Sequence, residues 1–224
     1  RTIPDEQALA LVMVLERGGR TALKTAAREQ ASTFVLIALP AAAGLALVAQ
    51  PLAELIIGEQ LRETAAAITP LIALSALFAG LTTYYFHQAF TLARRTGLLL
   101  VAMAIPAGLN LVLNLVLIPR MGVMGAALAT ALSYGLGLVA SAALGARAVS
   151  LPIPGAAIVR CGLATLVMAV AVWLVPASGG LVELISKATV GALVYGAVAW
   201  LINAAGVRDH GSQVLKTFQA RWAA

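Results

Sequence analysis

The sequence is poor in charge, in aromatic side chains and in cysteine. Of its 224 residues only 11% are charged and 5% are aromatic, and Cys161 is the single cysteine. One cysteine in an apolar run, with no histidine nearby, builds neither a disulfide nor a zinc site, so we interpret it as a small buried hydrophobic residue. The sequence also lacks a phosphate-cradling glycine loop, a nucleophile–base pair and paired carboxylates at usable spacing. We therefore expect no enzymatic activity, no cofactor and no metal site.

Apolar residues are what the chain has in excess. Hydrophobic residues make up 61% of the sequence, and its mean hydropathy is +0.95. Soluble domains are roughly half apolar and a quarter charged, so this composition indicates an integral membrane protein. The net charge of +6 comes from 15 basic residues spread in ones and twos. Because they form no patch, we exclude nucleic acid as a partner.

Six apolar segments have the length of about 20 residues that is needed to cross a bilayer. We expect an all-α membrane protein with transmembrane helices at Thr33–Ile57, Ile68–Leu92, Leu98–Ile118, Val123–Ala146, Ala157–Val175 and Ala188–Ala205. Residues 1–32 form two amphipathic pieces split by Gly18-Gly19, which predicts a cytoplasmic linker at the membrane surface. Residues 207–224 are predicted to form a cytoplasmic tail.

The distribution of Lys and Arg predicts the orientation of these helices. With six spans, twelve of the fifteen basic residues fall on one side, and the other side holds only Arg62, Arg120 and Lys187. Short loops rich in Lys and Arg stay in the cytoplasm. Both ends of the chain are therefore predicted to be cytoplasmic, and Glu54, Glu59, Glu63 and Glu183 lie toward the outside.

Two asparagines interrupt the third span. Asn110 and Asn114 share one helix face, and Pro106 lies one turn earlier on the same line. Amides that faced lipid would be costly, so both are expected to point into the protein or into a wet cavity. They either bond a neighbouring helix as structural contacts or meet substrate and water on a transport path. Pro106 removes a backbone hydrogen bond in mid-span, which predicts a kink.

Small residues recur at every fourth position of the fourth span. This row predicts close packing against another helix, because lipid cancels the hydrophobic drive for helices to associate. We assign it a packing role and no substrate contact. Its members are Gly125, Ala129, Ser133, Gly137, Ser141 and Gly145.

Three stretches resemble the polysaccharide-biosynthesis flippases (Wzx-type) of the multidrug/oligosaccharidyl-lipid/polysaccharide exporter superfamily. They are FVLIALPAAAGLALVAQPLAELIIG (Phe34–Gly58), YYFHQAFTLARRTG (Tyr84–Gly97) and NLVLNLVLIPRMGVMGAALATALSY (Asn110–Tyr134). The resemblance covers residues 34–146 and is more specific for the superfamily than for the substrate. Relatives that flip the peptidoglycan precursor usually carry an Ala-Arg-x-Asp-like loop where this chain has LARRTG, and that departure disfavours the peptidoglycan substrate.

The resemblance implies the C-terminal part of a two-lobed transporter. Residues 33–146 would form a four-helix domain, 147–206 an accessory pair, and residues 1–32 a linker from a preceding N-terminal lobe. The whole protein would move an undecaprenyl-pyrophosphate-linked oligosaccharide across the bacterial inner membrane by alternating access, for export of cell-surface polysaccharide such as O-antigen or exopolysaccharide. Its expected partners are this lipid-linked glycan, membrane lipids, the N-terminal lobe, and the polysaccharide polymerase and export machinery.

Polar residues at the end of the second span are the candidates for contact with that substrate. A pyrophosphate-sugar head group needs a polar path, with cations to meet the pyrophosphate. The simpler interpretation is that the tyrosines belong to an interfacial aromatic belt and that the arginines only set topology. Five candidates fall at spacings of three and four, which places them on one side of an α-helix: Tyr84, His87, Gln88, Thr91 and Arg95. Arg94 flanks them, and Asn110 and Asn114 are the remaining candidates.

Other functions remain open at this point. A peptidoglycan-precursor flippase or a multidrug exporter of the same superfamily would share these helices, although an exporter of cationic drugs is expected to place acidic residues in its cavity. A membrane glycan polymerase needs a sizeable outer loop, and the connections here are about ten residues or fewer. A purely structural membrane subunit would show no transport phenotype on loss.

Overall fold

The computed structural model of this chain describes residues 6–149 and 151–208, and all regular structure within them is helical. A π-helical turn (Thr82–Phe86) joins α3 to α4, and 3₁₀ turns lie at Glu59–Leu61 and Ala204–Gly206. The predicted tail and the first five residues lie outside the described residues, apart from Val207 and Arg208. The α-helices are α1 (Glu6–Leu47), α2 (Ala49–Ile56), α3 (Arg62–Leu81), α4 (His87–Leu92), α5 (Thr96–Ala148), α6 (Gly155–Trp173) and α7 (Gly180–Leu201).

Helix α5 is a hairpin of two arms. Its 53 residues would extend about 80 Å if straight, more than twice the hydrocarbon core. The backbone leaves the helical region at Gly122 (φ 58°, ψ −134°), where a residue without Cβ is favoured. The chain then doubles back, and the two arms are in contact beside the turn. A Cβ added at Gly125 would collide with the backbone carbonyl of Leu117. Residues 96–121 and 123–148 thus form two antiparallel arms.

The predicted all-α membrane fold is confirmed. Five helical segments of the described chain are long and apolar enough to cross a bilayer, and they become six crossings when α5 is counted as a hairpin. Large hydrophobic side chains are exposed on the outside of every crossing, while the buried hydrophobic residues are mostly alanines. Large residues outside and small residues inside are the arrangement expected of helices that face lipid and pack closely on one another.

The boundary predicted at residue 32 lies inside α1. The helix runs without interruption from Thr21 to Leu47, and this segment counts as the first candidate span. Leu23, Ala27, Ala31 and Val35 are buried at four-residue spacing along it. The amphipathic pattern of residues 21–32 therefore reflects a helix that packs on the protein with one face, and the candidate span begins at Thr21 rather than at the predicted Thr33. The split predicted at Gly18-Gly19 coincides with a non-helical backbone at Gly19 (φ 67°).

The last span begins at Gly180, earlier than the predicted Ala188. Glu183 and Lys187, which the predicted span left out, pair one turn apart within α7 at 2.5 Å. Glu183 also accepts a hydrogen bond from the Gly179 N–H, and Glu54 accepts one from the Gly180 N–H. Carboxylates at a helix N-terminus accept hydrogen bonds from its free N–H groups, so these charges stabilise the beginning of α7.

Helix α1 is the central element of the fold. It packs against α3 on one side and against α6 on the other, while α2 joins α3 to α7. The α5 hairpin packs on α3 and α4, and α7 packs on α6. The Tyr195 hydroxyl donates to the Leu36 carbonyl at 2.6 Å, which adds a bond from α7 to α1.

Candidate functional site

The π-helical turn places the polar residues of the second span. The His87 N–H bonds the Thr82 carbonyl, five residues earlier, so this turn is wider than an α-helical one. A π-turn inserts one extra residue, which rotates the following side chains by about 100° relative to a regular α-helix. Turns of this kind are frequent at functional sites. Nothing in the local sequence signals it.

The rotation separates Tyr84 from His87, which the sequence placed on one side. Tyr84 is half exposed, and its ring lies 5.8 Å from that of Phe34 on α1. Tyr85 is buried, and its hydroxyl donates to the Pro152 carbonyl in the loop before α6. His87 turns toward the α5 hairpin instead. The grouping of Tyr84 with His87 was therefore wrong, because it assumed unbroken α-helical periodicity.

A cavity of about 490 Å³ lies between the π-turn and the α5 hairpin. Its side chains are neutral, and seven of them carry a polar group in a region that is otherwise apolar. Polar groups at membrane depth are tolerated where they face one another or a water-filled cavity. The seven are Thr82, Thr83, His87, Asn110, Thr130, Ser133 and Tyr134, and Pro106 lies among them.

His87 and Asn110 are the two predicted residues that meet in this cavity. A ring nitrogen of His87 lies 3.4 Å from the Ser141 hydroxyl on the second arm of α5. On the first arm of α5, the Asn114 amide donates to the Asn110 carbonyl oxygen at 2.8 Å. Asn110 itself lines the cavity, and its side chain carries two amide donors in addition to that acceptor.

Asn114 and Gln88 are partly or fully unsatisfied. Gln88 is only 3% exposed, and neither of its amide atoms has a hydrogen-bond partner in the structure. The Asn114 carbonyl oxygen is likewise buried without a partner. Burial of an unpaired polar group costs about 1–3 kcal/mol. Neither side chain lines the cavity, although the sequence predicted both as members of the path.

Thr91, Arg94 and Arg95 lie away from the cavity. All three are exposed at the end of α4, where the chain turns into α5. Arg94 adopts a left-handed conformation (φ 53°), and the Arg95 N–H caps the helix by donating to the Phe90 carbonyl. Such geometry is typical of a helix C-terminus.

The row of small residues is buried along the whole second arm of α5. A Cβ added at Gly145 would lie 3.4 Å from the Ala89 Cβ on α4, so this end of the row meets α4. At Gly137 the neighbour is the ring of Pro106 on the first arm. The backbone at Pro106 keeps helical dihedral angles, and α5 departs from them at Gly122 instead.

Two members of that row also belong to the cavity region, although the sequence assigned them packing alone. Ser133 lines the cavity and bonds the Ala129 carbonyl at 2.6 Å, and Ser141 meets His87. Thr82, Thr83, Thr130 and Tyr134 were not predicted at all. Their hydroxyl groups within apolar spans could have identified them, but the sequence analysis considered mainly amides and charged side chains.

A cluster of three or more metal-ligating side chains is absent from the part of the chain that the structure describes. Among the lining residues, only His87 is of a type that ligates metals readily. What the cavity offers is hydrogen bonding from hydroxyls, an amide and an imidazole.

No family model and no curated protein matches this sequence. Among solved structures, the chain is similar to the one titled "Lipid II flippase MurJ, inward closed conformation", with a TM-score of 0.75 and 16% sequence identity. The similarity covers 90% of this chain and 42% of the MurJ chain. The chain therefore has the fold of part of the MurJ structure and spans less than half of its length.

Proposed function

We propose that this chain forms one lobe of a flippase for polyprenyl-pyrophosphate-linked saccharides, which works by alternating access in the bacterial inner membrane. The observation that carries the proposal is the neutral polar cavity at His87, Asn110 and Ser133, set within a membrane-spanning fold. The sequence resemblance to polysaccharide-biosynthesis flippases and the structural similarity to MurJ both support a transporter of a lipid-linked precursor.

The chemistry of the cavity suits a saccharide. A sugar presents many hydroxyls, which both donate and accept hydrogen bonds, and the lining residues supply both kinds of partner. A volume of about 490 Å³ is within the range of ligand pockets, about 300–1,000 Å³. The lining within the described chain contains no Asp, Glu, Lys or Arg, so the head group would be held through its sugars rather than its pyrophosphate.

The residues of the proposed path are thus His87, Asn110, Ser133, Thr82, Thr83, Thr130 and Tyr134. Arg94 and Arg95 are left out, because they are exposed at the end of α4 and do not reach the cavity. We assign them the simpler role of cytoplasmic charges that set topology. A cation for the pyrophosphate would come from elsewhere in the whole protein.

The second candidate substrate is the peptidoglycan lipid precursor. The similarity to a lipid II flippase favours it, while the LARRTG loop, which lacks the expected Asp, favours a polysaccharide precursor. Both substrates share a polyprenyl-pyrophosphate and differ in the attached saccharide. Multidrug export is the weaker alternative, because no acidic side chain lines the cavity in the described part of the chain.

Transport by the complete protein, reconstituted in vesicles, tests the proposal. Three fluorescent cargoes are compared: a polyprenyl-pyrophosphate oligosaccharide, lipid II and a cationic dye. Asn110→Ala and Ser133→Ala should each lower the transport rate of whichever saccharide-linked lipid the protein moves by about two- to tenfold, which is the effect of one lost hydrogen bond. Thr91→Ala, outside the cavity, is the matched control. Movement of the dye alone, or equal loss in Thr91→Ala, would overturn the proposal.

A further inference from the structure

A second recess lies at the end of the lobe where α1 begins its span, α6 starts and α7 ends. It has a volume of about 550 Å³ and is separate from the polar cavity, with which it shares no lining residue. Its walls are residues 21–32 of α1, the start of α6 and the turn after α7. We call it the basic groove, after Lys24, Arg28 and Arg160, which line it.

The three cations of the basic groove have no ion-pair partner among residues 6–149 and 151–208. Lys24 and Arg28 lie one turn apart on α1, and Arg160 lies across from them on α6. Glu29 is the one acidic residue among the lining residues, and none of the three cations forms an ion pair within the described chain. Cations that converge from two helices onto one recess favour an anionic ligand.

One cation is held in place, and the helix start adds to the positive field. Arg160 donates to the Asn203 carbonyl at 3.3 Å, which fixes its guanidinium beside the groove. The groove also includes Ala156 and Ala157 in the first turn of α6. N–H groups of a first helical turn lack intrahelical acceptors and carry partial positive charge.

The neighbouring residues place the basic groove at the membrane–water interface. Trp200, in the last turn of α7, is half exposed, and the Arg208 guanidinium lies 4.7 Å from its ring centroid. Tryptophan and basic residues concentrate at the level of the lipid head groups. Ile158 and Val159, just inside α6, are exposed large hydrophobic residues, as expected where acyl chains lie.

We infer that the basic groove binds the phosphate of an anionic phospholipid, whose acyl chains lie along the exposed apolar surface of α6. A phosphodiester at this height meets Lys24, Arg28 and Arg160 together, and an adjacent apolar helix face distinguishes a lipid from a soluble phosphate. Basic pockets between transmembrane helices bind anionic head groups in this way. The inference is independent of the transported substrate, because the groove is separate from the polar cavity.

Lipid binding to the complete protein in detergent tests the inference, with native mass spectrometry as the readout. The probes are short-chain phosphatidylglycerol, phosphatidylcholine and inorganic phosphate. We expect preferential binding of phosphatidylglycerol, weakened about fivefold by removal of each cation and about a hundredfold in K24Q/R28Q/R160Q. The charge-preserving K24R/R28K/R160K should bind within a few-fold of the wild type. If the triple Gln variant does not fold, R160Q alone is measured for the fivefold loss.

The matched control is R94Q/R95Q/R147Q, which removes three exposed cations from the same end of the lobe but outside the groove. It should keep the affinity for phosphatidylglycerol. Equal loss in this control would show a diffuse charge effect and overturn the inference, as would equal binding of phosphatidylcholine. Displacement of the lipid by inorganic phosphate at comparable affinity would assign the groove to a soluble anion instead.

Discussion

The ring of Pro106 packs against the backbone of Gly137, so that a Cβ added at residue 137 would lie 2.9 Å from the proline Cβ. Pro106 lies sixteen positions before Gly122 and Gly137 fifteen positions after it, at matching heights on the two arms of α5. The contact therefore fixes the register of the hairpin on which one wall of the polar cavity is built.

A larger residue at position 137 should destabilise the hairpin. Gly137→Val is expected to lower the free energy of unfolding by about 1–3 kcal/mol, because the proline ring is joined to its own backbone and cannot rotate out of the way. The measurement is a denaturant titration of the purified protein. Gly108→Val is the control, since Gly108 lies on the same helix with no atom within 4 Å of its added Cβ. Equal loss in both variants would contradict the contact.

The turn of the hairpin should depend on Gly122. Its positive φ of 58° is unfavourable for any residue with a Cβ, so Gly122→Ala should cost about 1–3 kcal/mol. Thermal unfolding of the detergent-solubilised variant measures the loss. Gly97→Ala, at an open helical position in the same element, should be neutral or slightly stabilising. No difference between the two variants would argue against a break at residue 122.

The hairpin also makes a topological prediction. Arg94 precedes its first arm and Arg120 lies at its tip, so cysteines at these positions should be labelled from opposite sides of the membrane. Membrane-impermeant thiol labelling of Arg94→Cys and Arg120→Cys in whole cells tests this, with Cys161 replaced by Ala. Labelling of both from one side would refute the six-span arrangement. The positive-inside pattern predicts that Arg94 is on the cytoplasmic side.

Stability should fall at low pH through Glu54, which lies on α2, beyond the first candidate span that ends at Leu47 rather than at the predicted Ile57. Hydrogen bonds from the Gly180 N–H and the Gln50 side chain hold the pKa of the Glu54 carboxyl below its ordinary value of 4.5. The folded form therefore favours the carboxylate, and the stabilisation is present above pH 4.5 and lost as the pH falls through the lower folded-state value. The stability difference between wild type and Glu54→Gln should shrink between pH 6 and pH 3. A constant difference would contradict this link between α2 and α7.

Composition and the length of the apolar runs were sufficient to predict the fold class, because a bilayer permits few alternatives to spanning helices. Span ends were harder to predict. The charges of Lys24 and Arg28 suggested a linker, but they lie on the exposed face of a helix whose other face buries Leu23 and Ala27. Glu183 and Lys187 were left outside the last predicted span, although both lie inside α7 and pair one turn apart.

The candidate site was predictable only in part. His87 and Asn110 were selected from the sequence because polar groups in apolar spans require an explanation, and the structure places both on one cavity. Tyr84 was grouped with His87 because α-helical periodicity was assumed, and the π-turn removes that relationship. The facing residues Thr130 and Ser133 come from the hairpin, and their proximity depends on a fold-back that local spacing does not encode.

The π-turn has a mechanical consequence. Tyr85 lies inside this turn and is bonded to Pro152 in the loop that leads into α6, whereas His87, at the end of the same turn, faces the α5 hairpin. Six consecutive residues, from Thr82 to His87, thus contact both the α5 hairpin and the loop before α6. We therefore expect a change in the backbone of this turn to alter both contacts together.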